Sequence, residues 1–194
     1  MRTIKPQPHG YAKDMRNIPA LAIILMLASI PGMAEVADSG SNGFTLKTTV
    51  QIQAPPDAVY RRLIQVGDWW DSAHTFSGDA KNLSIDEKPG GCFCEKLPNG
   101  GGVRHMEVVF LAPGKRLVLS GGLGPLQAIG ATGAVSVDLT PAEGGTKLQF
   151  TYAVTGYLAA GMNTLAAPVD SVWSALLARL KNLVEHGDPA PKAK

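Results

Sequence analysis

The chain has 194 residues, 45% of them apolar and 18% charged, which is enough for one domain with its own core and unlike a disordered chain. Its formal charge of +2 is concentrated at the start: Arg2, Lys5, Lys13 and Arg16 precede residue 17, whereas from Glu35 onward 14 Lys and Arg face 15 Asp and Glu. A near-neutral body whose basic pairs are Arg61-Arg62 and Lys115-Arg116 argues against nucleic acid as the partner.

Residues 1–34 have the order of a cleavable secretory signal. Arg16 precedes a 13-residue run, Ile18 to Ile30, interrupted by Pro19 and Ser29, and small residues Gly32 and Ala34 follow. A hydrocarbon core needs about 20 apolar residues, so the run is short for a membrane span. The alternative is an uncleaved anchor. No Cys follows the run, which argues against a lipoprotein. Met15 offers a more compact start, and cleavage is expected after Ala34. The expected location is periplasmic or secreted, with no stable membrane span after cleavage.

Residues 35–43 read as a polar linker. From Phe44 to Gln53 the apolar Leu46, Val50 and Ile52, with Thr48, alternate with Lys47, Thr49, Gln51 and Gln53, which predicts a half-buried strand. Pro55-Pro56-Asp57 opens a helix, since proline fits the first turn and an acid suits its electropositive end. Val59 and Leu63, with Tyr60 and Val66, form its inner side, and Gly67 stops it. A second short turn at 68–72 carries Trp69 and Trp70. Strands are predicted at 80–87, 91–96, 102–111, 115–121, 128–140 and 146–155. They are separated by Pro89-Gly90, Pro98-Asn99-Gly100, Pro113-Gly114 and Glu143-Gly144-Gly145. Residues 121–125 are the loosest connection.

From Pro168 to Gly187, Val169, Val172, Trp173, Leu176, Leu177, Leu180, Leu183 and Val184 recur at steps of three and four, the pattern of a one-sided helix. Such a helix needs a broad apolar surface. The closely spaced strands before it leave no room for helical crossovers, so that surface is an antiparallel sheet and the class is α+β. Residues 188–194 read as a disordered tail.

This order, together with Val50-Gln51-Ile52-Gln53-Ala54-Pro55-Pro56-Asp57-Ala58-Val59-Tyr60, Asp68-Trp69-Trp70, Pro89-Gly90-Gly91 and Leu111-Ala112-Pro113-Gly114-Lys115-Arg116-Leu117, resembles the START-like or SRPBCC superfamily. Its polyketide cyclase-like and heat-shock-ATPase-activator-like branches are the ones resembled. The resemblance covers about 44–187 and implies a helix-grip fold, a curved sheet wrapped round the last helix and enclosing a cavity. It does not imply one activity, because lipid carriers, cyclases, hormone receptors and chaperone partners share that scaffold.

Cavities of this kind are mostly apolar with a few orienting polar groups, so polar residues within buried patterns are the site candidates. Alternation puts Phe93 and Glu95 on one face of their strand, Cys92 and Cys94 on the other. On the next strand His105, Glu107, Val109 and Leu111 share a face. With Phe93, Glu95, His105, Val109 and Leu111 inward, Glu95 beside His105 suits general acid–base work. The other arrangement is an exposed cross-strand pair. Trp69 and Trp70 divide between core and cavity rim, with Trp70 a ligand candidate. His74, in a loop, is a ligand-binding candidate. Tyr152 and Tyr157 offer hydroxyls, and Trp173 and Leu177 form the roof.

Strand residues two apart have Cα atoms nearly 7 Å apart, near the limit for a bridge, so Cys92 and Cys94 read as two quiet thiols. A disulfide and a metal site are the lesser alternatives. The sequence calls for no cofactor and no metal, and has no nucleophile elbow, phosphate loop or His-x-x-x-His pair. The leading expectation is an exported domain binding a small or medium hydrophobic molecule. The alternative is a cyclase or aromatase using Glu95 and His105.

Overall fold

The computed structural model describes residues 35–190; the signal-like segment and the last four residues of the expected tail lie outside them. Eight strands form one antiparallel sheet in the order β1-β2-β8-β7-β6-β5-β4-β3. They are β1 Glu35–Gly40, β2 Gly43–Ile52, β3 Leu83–Ile85, β4 Cys92–Lys96, β5 Gly102–Ala112, β6 Arg116–Gly121, β7 Thr132–Ala142 and β8 Gly145–Thr155. Helix α1 spans Pro56–Ile64 and helix α2 spans Ala166–His186. This is the helix-grip α+β arrangement.

Residues 35–43 are not a linker. β1 forms a hairpin with β2 through a tight turn, pairing Gly40 with Gly43. The reading missed it because Glu35-Val36-Ala37-Asp38-Ser39-Gly40 lacks alternation and β-branched density. The expected strand at 80–87 shortens to β3, preceded by a 3-10 turn, and residues 124–129 form a 3-10 helix rather than the start of β7.

α2 lies across the concave face. Its buried side is Ala166, Trp173, Leu176, Leu177, Leu180 and Leu183. It meets the inward residues of β2 (Phe44, Leu46, Ile52) and β8 (Leu148, Phe150, Tyr152, Val154), all buried. Gly187 has φ 76°, the left-handed conformation that closes the helix, and its N–H donates to the Leu183 carbonyl. At the other end of the chain order, α1 begins at Pro56 with Asp57 in its first turn, as the helix dipole favours. Near the C-terminus of α2, Glu185 accepts a hydrogen bond from the Gln53 N–H, fixing the end of α2 to the end of β2.

Candidate functional site

The site is built by an irregularity in β5. A regular strand would send alternate residues inward, yet His105 and Met106 are both buried. The cause is a shift in the pairing with β4: Phe93 opposes Met106 and Cys94 opposes Arg104, leaving His105 without a rung. A second shift, against β6, falls at Val109. Val109 and Phe110 are consequently 51% and 50% exposed, whereas Val108 is fully buried. The expected inward set is thus corrected: Phe93, Glu95 and His105 face in, and Val109 does not.

Glu95 and His105 meet inside, not on the outer face. His105 Nε2 lies 3.0 Å from Glu95 Oε2, and both residues are buried. The second carboxylate oxygen accepts the Ser77 N–H, tying the 72–78 loop down to β4. The Gly124 N–H donates to His105 Nδ1 at a long 3.4 Å. An Nδ1 that accepts leaves the proton on Nε2, which donates to Glu95. Burial pulls the imidazole below its ordinary value, against the opposing pull of Glu95. For Glu95, burial pushes upward, but hydrogen bonds from Ser77, Phe76 and His105 outweigh it and hold the carboxyl below its usual 4.5. The pair is a carboxylate facing a neutral imidazole.

His105 forms part of the wall of a cavity of about 390 Å³ between α2 and the sheet. Trp70, His74, Tyr152 and Trp173 share that wall, so five of the expected site residues come together. Three do not line it. Phe93 stands behind, its ring 5.3 Å from that of His105 and 5.6 Å from that of Trp70. Glu95 sits beneath the imidazole it holds. Leu177 is one helical position past the cavity-lining Leu176 and packs into the core. Tyr157 is 80% exposed and away from the site.

The tryptophans divide by partner rather than by exposure, since both are buried. Trp69 Nε1 donates to the Leu63 carbonyl at the end of α1, and Trp70 Nε1 to the His74 carbonyl beside the cavity. Tyr152 projects from the middle of β8, fully buried, and its hydroxyl proton finds no acceptor among the described residues. Burial raises its pKa against a smaller opposing pull from the Leu123 backbone N–H, so the hydroxyl stays neutral and keeps its proton to donate.

Several lining residues escaped the sequence reading. Phe76 stacks on His105 with rings 6.0 Å apart and 8° from parallel, and is 55% exposed. Leu123 and Pro125 come from the connection that looked loosest, and Leu126 directly follows it. The Pro125-Leu126 pair after Gly124 was the available signal of a short apolar turn. Cys92 and Cys94 are bridged, not free. Their Cα atoms are 5.3 Å apart, closer than an extended strand places them, and that contraction brings the sulfurs within reach. Among the described residues no cluster of three or more His, Cys, Asp and Glu could hold a metal ion. No helix among them is long and apolar enough to cross a membrane.

No curated protein matches the chain. Solved structures do. A conserved protein of unknown function from Enterococcus faecalis is similar at 20% identity and TM-score 0.56, covering 84% of this chain and 82% of that one. The Aha1 dimer from Colwellia psychrerythraea is similar at 23% and 0.54, covering 74% and 97%. CalU16 from Micromonospora echinospora follows at 16% and 0.52, covering 79% and 87%. At such identities the likeness speaks for the fold. Residues 43–185, from the first strand under α2 to the last turn of that helix, match the family described as polyketide cyclase / dehydrase and lipid transport, and the chain belongs to it.

Proposed function

We propose that this protein binds a small, largely apolar molecule bearing one hydrogen-bond acceptor, in the cavity beneath α2. The observation that carries the reading is the apolar cavity walled by Trp70, Val172, Trp173 and Leu176, and bordered by Tyr152, whose buried hydroxyl proton has no acceptor among the described residues. A buried hydroxyl proton without an acceptor costs about 1–3 kcal/mol. A ligand carbonyl or ether oxygen would recover that cost, and the surrounding apolar wall would take the rest of the molecule. A volume of about 390 Å³ lies at the small end of ligand pockets and favours compact rings or short chains over full-length lipids.

The test uses the intrinsic fluorescence of Trp70 and Trp173. Titration with matched pairs of compact hydrophobes, one of each pair carrying a carbonyl, should give saturable change with tighter binding for the carbonyl partner. A flat response across the panel would overturn the reading.

A second reading is acid–base catalysis of the cyclase or aromatase kind. It is favoured by the Glu95–His105 pair, whose imidazole reaches the cavity while the carboxylate lies behind it. In that scheme His105 is the group that touches substrate, and Glu95 orients it. The proposal includes export, supported by the Arg16, Ile18–Ile30 and Gly32-Met33-Ala34 pattern. Mass measurement of the protein recovered outside the cytoplasm should give a chain beginning at Glu35.

A further inference from the structure

The two cysteines lie on the outer face of β4, half-buried, directly behind the residues that hold the imidazole. Their bridge closes a ring of three residues with Phe93 in the middle. In an extended strand, residues two apart are separated by about 6.6 Å. Here the Cα atoms are 5.3 Å apart, so β4 is contracted at this step. Between the rungs Phe93–Met106 and Cys94–Arg104, β5 carries one residue more than β4, and that residue is His105. The shortened strand and the extra residue are two sides of the same mismatch.

We propose that the Cys92–Cys94 bridge is a reversible redox site whose state sets the position of His105 on the cavity wall. Two contacts transmit the change. Phe93, inside the ring, packs against the imidazole at 5.3 Å, and Glu95, one residue beyond the ring, hydrogen-bonds to it at 3.0 Å. Opening the ring lets β4 return toward extended spacing, which slides Phe93 and Glu95 along β5 relative to His105. Because Glu95 also accepts the Ser77 N–H, the 72–78 loop carrying His74 and Phe76 moves with it.

The exchange is ordinary thiol chemistry with a dithiol as co-reactant. One thiolate of the dithiol attacks a cysteine sulfur, the Cys–Cys bond breaks, and the other cysteine leaves as thiolate and takes a proton. The second thiol of the reductant then displaces the first cysteine. The products are two cysteine thiols and the oxidised, cyclic reductant. Both cysteines are half-buried residues on the outer face of the sheet, the side from which such attack would come, and no other cysteine in the sequence competes. The proposal concerns the strand and the imidazole, and holds whatever the cavity binds.

The experiment uses the full chain with isotope-labelled histidine and backbone, air-oxidised and then treated with dithiothreitol. The oxidised protein should present no titratable thiol and the reduced protein two. On reduction, the His105 ring resonances should shift, and hydrogen exchange should quicken at the amides of Phe93, Glu95, Arg104 and Met106 while β7 and β8 keep their protection. Reoxidation should restore both. A Cys92→Ser/Cys94→Ser variant should give the reduced-state spectrum and ignore dithiothreitol. Unchanged His105 resonances on reduction, or free thiols in the air-oxidised chain, would overturn the proposal. Loss of native dispersion across the whole sheet on reduction would also overturn it, since the bridge would then be a structural staple. A serine variant that fails to fold counts against it for the same reason.

Discussion

Arg179 donates from Nε to the carbonyl of Trp69 at 2.8 Å, and its other arm reaches the carbonyl of Trp70 at 3.2 Å. One side chain of α2 thereby holds the tryptophan loop against the helix that covers the cavity. Hydrogen bonds from a charged donor are worth more than neutral ones. Arg179→Ala should therefore cost about 2 kcal/mol in a urea titration. Arg179→Lys should recover only part of this, because an ammonium cannot span both carbonyls in a planar fork. An alanine variant as stable as the parent would show that the loop is held by packing alone.

Tyr152→Phe separates folding from binding. Removing a buried hydroxyl whose proton has no acceptor spares its desolvation, so stability should hold or rise by about 1 kcal/mol. Affinity for a carbonyl-bearing probe should fall about tenfold, equivalent to about 1.4 kcal/mol, while affinity for the matched hydrocarbon stays level. Equal loss for both probes would remove the hydroxyl from the recognition scheme.

Acid should weaken the fold in two stages. The His105 pKa is lower folded than unfolded, so the unfolded chain takes up the proton first. Stability is then complete above the ordinary 6.5 and lost as pH falls below it toward the folded value. Glu95 is lowered in the same sense, and adds a second loss below its ordinary 4.5. Thermal midpoints between pH 7.5 and pH 5 should drop for the parent and flatten for His105→Gln. A parent whose midpoint rises through this range would contradict a neutral buried imidazole.

Phe76→Ala tests the rim. The ring is half-exposed, so stability should change by less than about 0.5 kcal/mol. The imidazole beneath it loses its stacked cover, and probe binding followed by Trp fluorescence should weaken. Unaltered probe binding would place the rim elsewhere.

The regular parts of the molecule were legible because their physics is periodic. The apolar steps from Val169 to Val184 read as a helix on a sheet, and Leu46 to Ile52 as a half-buried strand; both formed. What could not be read were departures from period. Alternation through β5 fails at His105 and again at Val109, because the pairing with β4 and then with β6 shifts register there, and one-strand reasoning contains no neighbour. The same blindness placed Cys92 and Cys94 near the limit for a bridge, so that two thiols were the leading expectation. β1 was hidden for another reason: an edge strand pairs on one side and needs little apolar content. Phe76 and Leu123, both in connecting segments, carry no pattern at all, and only the folded chain shows them lining one cavity with the imidazole.

The open sheet leaves two margins, and each is poor at capturing a stray chain. β3 offers three residues, and β1 slips register between Val36 and Asp38, so neither presents a long flat row of unsatisfied amides. Strand-by-strand accretion is thereby disfavoured, and concentrated preparations should remain free of fibrils.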